Sequence, residues 1–211
     1  LRERLGHVRA HYARLFERSA PLSETSGSLV FPGVDDDRET IATLRRLGFS
    51  QPEAVSATIR GWHHGRVRAT RSEKAREKLT ALMPALLQAL GKTANPDIAF
   101  TRFDRFLSGL PSGVQVFALL FSNPRLLEMI AEIVGTAPRL ADHLARRPAL
   151  LDVLIDADFL HHQPDLAELR EGLAPLMRGA KSFEDKLDAA RRWTKDQQFR
   201  VGLQLLRGEI D

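Results

Sequence analysis

The chain has 211 residues, 43% of them hydrophobic, with 31 Lys and Arg against 27 Asp and Glu and a formal net charge of +4. It has no cysteine, which excludes a disulfide framework and any thiolate metal site, and no apolar run near the roughly 20 residues that a membrane helix needs. This is the composition of a globular protein able to bury a sizeable core, and the excess of positive charge is mostly arginine interleaved with acids, the pattern of solvated helix faces rather than of a nucleic-acid surface.

Residues 1–18 predict a helix with Leu5, Val8, Tyr12, Leu15 and Phe16 as its apolar stripe. His7 and His11 would share a face at a spacing zinc sites use, but no third ligand stands near them, so surface histidines are expected. The charged, amphipathic start is not a signal peptide, and a reducing, cytoplasmic setting is expected. The chain opens on Leu and begins and stops inside helical patterns, so an excised piece of a longer polypeptide is expected. Residues 19–35, SAPLSETSGSLVFPGVD, predict a linker and a domain boundary.

From residue 36 the pattern is helical. Asp36 or Asp37 can cap a helix carrying Ile41, Leu44 and Leu47, which Gly48 would end in the left-handed conformation. Ser50 with Glu53 predicts a capping box, with Phe49 stapled against Ala54 and Val55, Ile59 and Trp62 turned inward. GWHHGRVRATR, 61–71, predicts an irregular stretch. There Arg66, Arg68 and Arg71 run into Lys74, Arg76 and Lys78, but Glu73 and Glu77 dilute the charge and no aromatic ladder accompanies it, so nucleic-acid binding is not expected. His63 and His64 would lie about 100° apart on a helix, poor geometry for chelation. Thr70 and Glu73 predict another capping box. The helix after it has Ala75, Leu79, Leu82, Met83, Leu86, Leu87 and Leu90 on one face, with a kink expected near Thr80 because Pro84 removes a backbone bond.

Asn95–Pro96 opens the next helix, with Ala99, Phe103, Phe106 and Leu110 inward. VQVFALLF, 114–121, is apolar nearly all round and predicts a fully buried segment. Pro124, Pro138 and Pro148 then head three short helices, with Asn123 and Thr136 placed as N-caps and Leu126, Leu127, Ile130, Ile133 and Val134 facing the core of the first. Asp165 and Glu168 start a further helix, stopped near Pro175. Gly179 and Ser182 introduce a long last one bearing Phe183, Leu187, Ala190, Trp193, Val201, Leu205 and Leu206. The expected fold is all-α, a multi-helix bundle of short proline-headed helices with a long C-terminal helix.

Chemistry-bearing motifs are few. Asp156-Ala157-Asp158 has the paired-carboxylate form that holds two Mg²⁺ ions against ATP, but it follows LLDVLI, a helical end, rather than a strand after a Gly-Ser turn. Acids at a helix junction are more often caps, and the same holds for Asp35-Asp36-Asp37. No Gly-rich phosphate loop, Gly-x-Ser-x-Gly or Ser/His/Asp grouping occurs, so no catalytic, cofactor-binding or metal-ligating residue is assigned.

SNPRLLEMIAEIVGTAPRLADHLARRPALLDVLID resembles the central helical region of the bifunctional glutamine synthetase adenylyltransferase/adenylyl-removing enzyme family. FPGVDDDRETIATLRRLGFSQPEAVSATIRGWHHGRVRA and ALMPALLQALG resemble the stretch just before it, and VRAHYARLF the last helix of the family's first half. The resemblance implies that residues 1–18 close the adenylyl-removing half, 19–35 link, and 36–211 form a helical domain leading into an adenylyltransferase catalytic domain. It implies a parent that uses Mg²⁺ and ATP to adenylylate and deadenylylate glutamine synthetase under control by glutamine and the PII signalling protein. Flanking catalytic domains, and neither nucleic acid nor membrane, would be its partners. The family's catalytic strand motifs are not in this chain, so it is expected to be inactive alone. A free-standing helical protein-interaction module without activity is the alternative expectation.

Overall fold

A computed structural model describes residues 37–154 and 161–210. Every regular element among them is helical, as the 3.6-residue apolar spacing requires. In chain order these are α1 (Arg38–Arg46), α2 (Pro52–His63), a 3₁₀ turn (Arg68–Thr70), α3 (Glu73–Gly91), α4 (Pro96–Gly109), α5 (Val114–Ser122), α6 (Pro124–Thr136), α7 (Pro138–Arg146), the single turn α8 (Leu150–Val153), α9 (Leu166–Gly179) and α10 (Phe183–Leu206). The expected helix over 1–18, the linker 19–35, Asp35, Asp36, Asp156 and Asp158 lie outside the described residues.

The centre is α3, α4 and α6. α3 packs against α5 and α6, and α4 against α6 and α7, around one continuous core that runs from Leu44 to Leu203. Aromatic rings fill the side nearest α2. Trp62 stacks on Phe100 with centroids 5.2 Å apart, Phe49 meets Phe100 edge-on at 6.1 Å, and Phe103 lies 5.7 Å from Phe106. Two glycines set how closely the helices approach. A Cβ on Gly91 would come within 2.4 Å of the Leu47 carbonyl oxygen, and one on Gly109 within 2.3 Å of the Ala145 carbonyl oxygen, so backbone touches backbone at both crossings.

Most inward positions predicted from spacing are buried, and the exceptions have local causes. Asp37 caps α1, accepting from the Thr40 N–H at 2.8 Å, and Gly48 ends the turn after it with φ of +95°. The box expected from Ser50 and Glu53 does not form. Pro52 takes the first helical position, so Gln51 sits at the N-cap, and the Ser50 N–H and hydroxyl and the Gln51 N–H donate to the Asp97 carboxylate at 2.9, 2.8 and 3.1 Å. Glu53 pairs with Arg45 instead, and Phe49 packs on Phe100 rather than on Ala54, which is exposed. The expected irregular stretch begins later than 61, because α2 continues to His63.

The cap of α3 is Ser72, whose hydroxyl accepts from the Ala75 N–H, and not Thr70, which is buried and donates to the Val67 carbonyl. α3 runs unbroken through Pro84, and α9 likewise runs through Pro175 to Gly179 instead of stopping there. Asn123 stands at the N-cap of α6, but its amide donates back to the Leu119 carbonyl and so finishes α5. Thr136 is the last residue of α6 and bonds the Glu132 carbonyl, which leaves Ala137 at the cap of α7. In α5 only Phe117 and Leu120 are buried, while Phe121 is 54% exposed. Asp165 with Glu168 and Ser182 with Asp185 form full capping boxes at α9 and α10.

The apolar pattern of α10 is the largest departure. Phe199, Leu203 and Ala189 face inward, whereas Phe183, Leu187, Val201 and Leu205 of the predicted stripe are exposed.

Candidate functional site

The residues that combine charge, a titratable ring and a cleft lie where α7 meets α10. On α7, Arg139, Asp142, His143 and Arg146 share a face at spacings of three and four. On α10, Lys195, Asp196, Gln198 and Phe199 stand across from them. The cleft between the two helices has a volume of about 480 Å³, and its lining includes Arg139, Asp142, His143, Arg146, Lys195 and Phe199.

His143 also belongs to a three-membered polar cluster beside the cleft. His143 Nε2 lies 3.0 Å from Asp196 Oδ1, and Arg147 Nη1 lies 2.7 Å from Asp196 Oδ2, so one carboxylate is held from both sides. The His143 ring also lies 5.6 Å from the buried Phe199 ring. Asp142 is engaged by Arg105 at 3.0 Å. The cluster pins α10 to α7, and the lining contains no nucleophile with a base beside it. The arrangement is that of a joint between two helices with charged side chains along its border.

The basic stretch singled out in the sequence serves structure in two places. Arg66 donates to Asp104 at 2.6 Å, and the same carboxylate oxygen accepts the indole N–H of the fully buried Trp62 at 2.6 Å. Arg76 donates to the carbonyls of Thr70 and Arg71 at 3.2 and 2.8 Å, closing the turn before α3. Burial, with the charge of Arg76 and then of His64, holds the His63 imidazole below its usual range. Among the described residues no group of three or more His, Asp or Glu could hold a metal ion. Sequence reasoning missed both the His143–Asp196–Arg147 cluster and Asp104. Partners 53 and 42 residues apart have no periodic signature, although a buried Trp always demands an acceptor.

The profile of the family described as Glutamate-ammonia ligase adenylyltransferase matches residues 127–211, a span that contains α7, the joint and α10. A bifunctional glutamine synthetase adenylyltransferase/adenylyl-removing enzyme from Mesorhizobium japonicum is 48% identical over 210 residues, 100% of this chain and 21% of that protein. Proteins of the same name from Caulobacter vibrioides and Rhizobium meliloti are 49% and 45% identical over 97% and 96% of this chain, and 20% and 21% of their own lengths. The segment belongs to the glutamine synthetase adenylyltransferase family. It spans about a fifth of the length of these curated relatives. Within the family's profile, the cleft and its ion cluster sit on a helical scaffold, and no helix among the described residues is long and apolar enough to cross a membrane.

Proposed function

We propose that this segment is the helical body that mechanically couples the two opposed activities of a glutamine synthetase adenylyltransferase. The observation that carries the reading is the continuous core from Leu44 to Leu203, which ties α1 to α10 into one body able to transmit a displacement without deforming. The relatives' names join an adenylyltransferase to an adenylyl-removing enzyme, and two opposed reactions in one protein waste ATP unless only one runs at a time. A ligand can shift that balance only by favouring one of two arrangements of the connected halves. The parent would use Mg²⁺ and ATP, act on glutamine synthetase in the cytoplasm and respond to PII and glutamine, whereas this segment supplies no catalytic group.

Residues 19–35, rich in Ser, Pro and Gly, are the hinge in this reading. A flexible Gly/Ser insertion there, in the full-length protein, is expected to leave both activities intact and to weaken their reciprocal response to effectors. An unchanged response would make the segment a passive spacer. The segment alone is expected to transfer no labelled AMP to glutamine synthetase, and measurable transfer would refute its non-catalytic role.

A further inference from the structure

The α9–α10 hairpin is unfinished as a packing unit. None of the 14 residues of α9 is buried, although Leu166, Leu169, Leu173 and Leu176 fall at helical spacing along it. A helix of that length draws its stability from burying its apolar face, not from propensity. Of the eight large hydrophobic side chains exposed among the described residues, six are on this hairpin: Leu166, Leu176, Phe183, Leu187, Val201 and Leu205.

α10 is apolar on two opposite sides. Phe199 and Leu203 are buried against the bundle. Val201 and Leu205 come two residues after each, about 200° round the helix, and are 45% and 49% exposed. With Leu169 and Trp193 they line an outward apolar groove of about 370 Å³. A helix apolar on both sides is built to be covered on both sides, yet the described residues cover one.

We infer that in the full-length protein this face is covered by polypeptide of the same protein outside the described residues, packed across Val201, Leu205 and Leu169 as the third member of a helical layer. The inference rests on the family reading above. This chain spans about a fifth of its relatives' length, so the material for such a cover exists in cis. The hairpin lies wholly inside the span that the family profile matches. Just beyond the face, Gly208, with φ of +67°, turns the backbone away from the axis of α10 three residues after Leu205, while the Glu209 N–H returns to the Gln204 carbonyl. A segment of the same protein acts at high effective concentration, so a face can be filled intramolecularly without the affinity a free partner would need. No charged side chain lines the groove, so it offers a charged partner in solution no steering field.

The test uses the full-length protein. Val201→Cys, Leu205→Cys and, as an exposed control in the turn before α10, Lys181→Cys are labelled with a maleimide at a concentration where light scattering shows a monomer, and each site is quantified by peptide mass spectrometry. Residues 201 and 205 are expected to label about tenfold or more slowly than residue 181, as a covered site reacts only through local opening. A photo-crosslinking amino acid at Leu205 is expected to join to a peptide of the same protein outside residues 37–154 and 161–210. Labelling at 201 and 205 as fast as at 181 would overturn the inference. So would protection that appears only at concentrations where dimers form, which would assign the face to a second copy, or only on adding glutamine synthetase, which would assign it to the substrate protein. None of these readouts involves effector response, so this inference and the coupling role fail separately.

Discussion

At Asp97 one carboxylate accepts three hydrogen bonds from the start of α2 and so binds two helices that are distant in sequence. Burial pushes its pKa up, but the bonds from Ser50 and Gln51 outweigh it and hold the group below its ordinary value. The lowered folded-state pKa means that the stabilisation is complete above the unfolded value of about 4 and is lost as pH falls through the folded one. Asp97→Asn is therefore expected to cost about 1–2 kcal/mol at pH 7, measured by urea denaturation, and progressively less below about pH 4. A cost that stays constant down to pH 2 would refute the charged cap. Hydrogen bonds shift the other capping carboxylates in the same direction. The Thr40 N–H lowers Asp37, the Asp165 N–H with His162 lowers Glu168, and Ser182 lowers Asp185, so acid weakens several helix starts together. Asp104→Ala strands the buried indole N–H of Trp62 and should cost about 1–3 kcal/mol, whereas Asp104→Asn, which keeps an acceptor, should recover much of that.

At the scale of elements, spacing made the helices legible and tertiary context decided their ends. Leu79, Leu82, Leu86 and Leu90 repeat every three or four residues, and any packed solution buries them. Caps are chosen by competition. Ser50 had a local acid at Glu53 but found Asp97, and Thr136 bonded back to Glu132 inside its own helix instead of opening the next. Pro175 does not stop its helix as expected, because a proline costs only local backbone bonds, and the helix assignment also continues through Pro84. The close crossing at Gly109 could not be seen in sequence at all, because glycine there looks like any helix end. Gly109→Ala would drive its methyl into the Ala145 carbonyl and is expected to destabilise the bundle by about 1–3 kcal/mol, checked by thermal or urea unfolding. An unchanged midpoint would show that α4 and α7 can slide apart freely.

For the whole molecule, the joint at α7 and α10 decides how firmly the hairpin follows the bundle. Asp196→Ala removes the shared partner of His143 and Arg147. Hydrogen exchange is expected to speed up through 183–206 while α3, α4 and α6 keep their protection, and uniform loss of protection would mean that the cluster supports the entire core. Sequence alone showed the class of fold and that the last helix is long, but not that it ends at Leu206 or that its predicted stripe points outward. Both stripes of α10 are apolar, and only the position of α7 selects which one is buried. The site was equally hidden, since an ion cluster assembled from 143, 147 and 196 depends on a crossing that periodicity does not encode.

α10 is gripped at Asp196, Phe199 and Leu203, near one end, while Phe183 at the other end is 74% exposed. At 1.5 Å per residue, Phe183 stands about 25 Å from Arg200 along the axis. A rotation of about 10° about the grip therefore carries Phe183 through about 4 Å, comparable with one helical turn. A helix held this way has the geometry of a lever arm, with α7 at its fixed end. Sub-ångström changes in the His143–Asp196 contact are multiplied along its length, and the far end of the hairpin is where such a displacement would be felt.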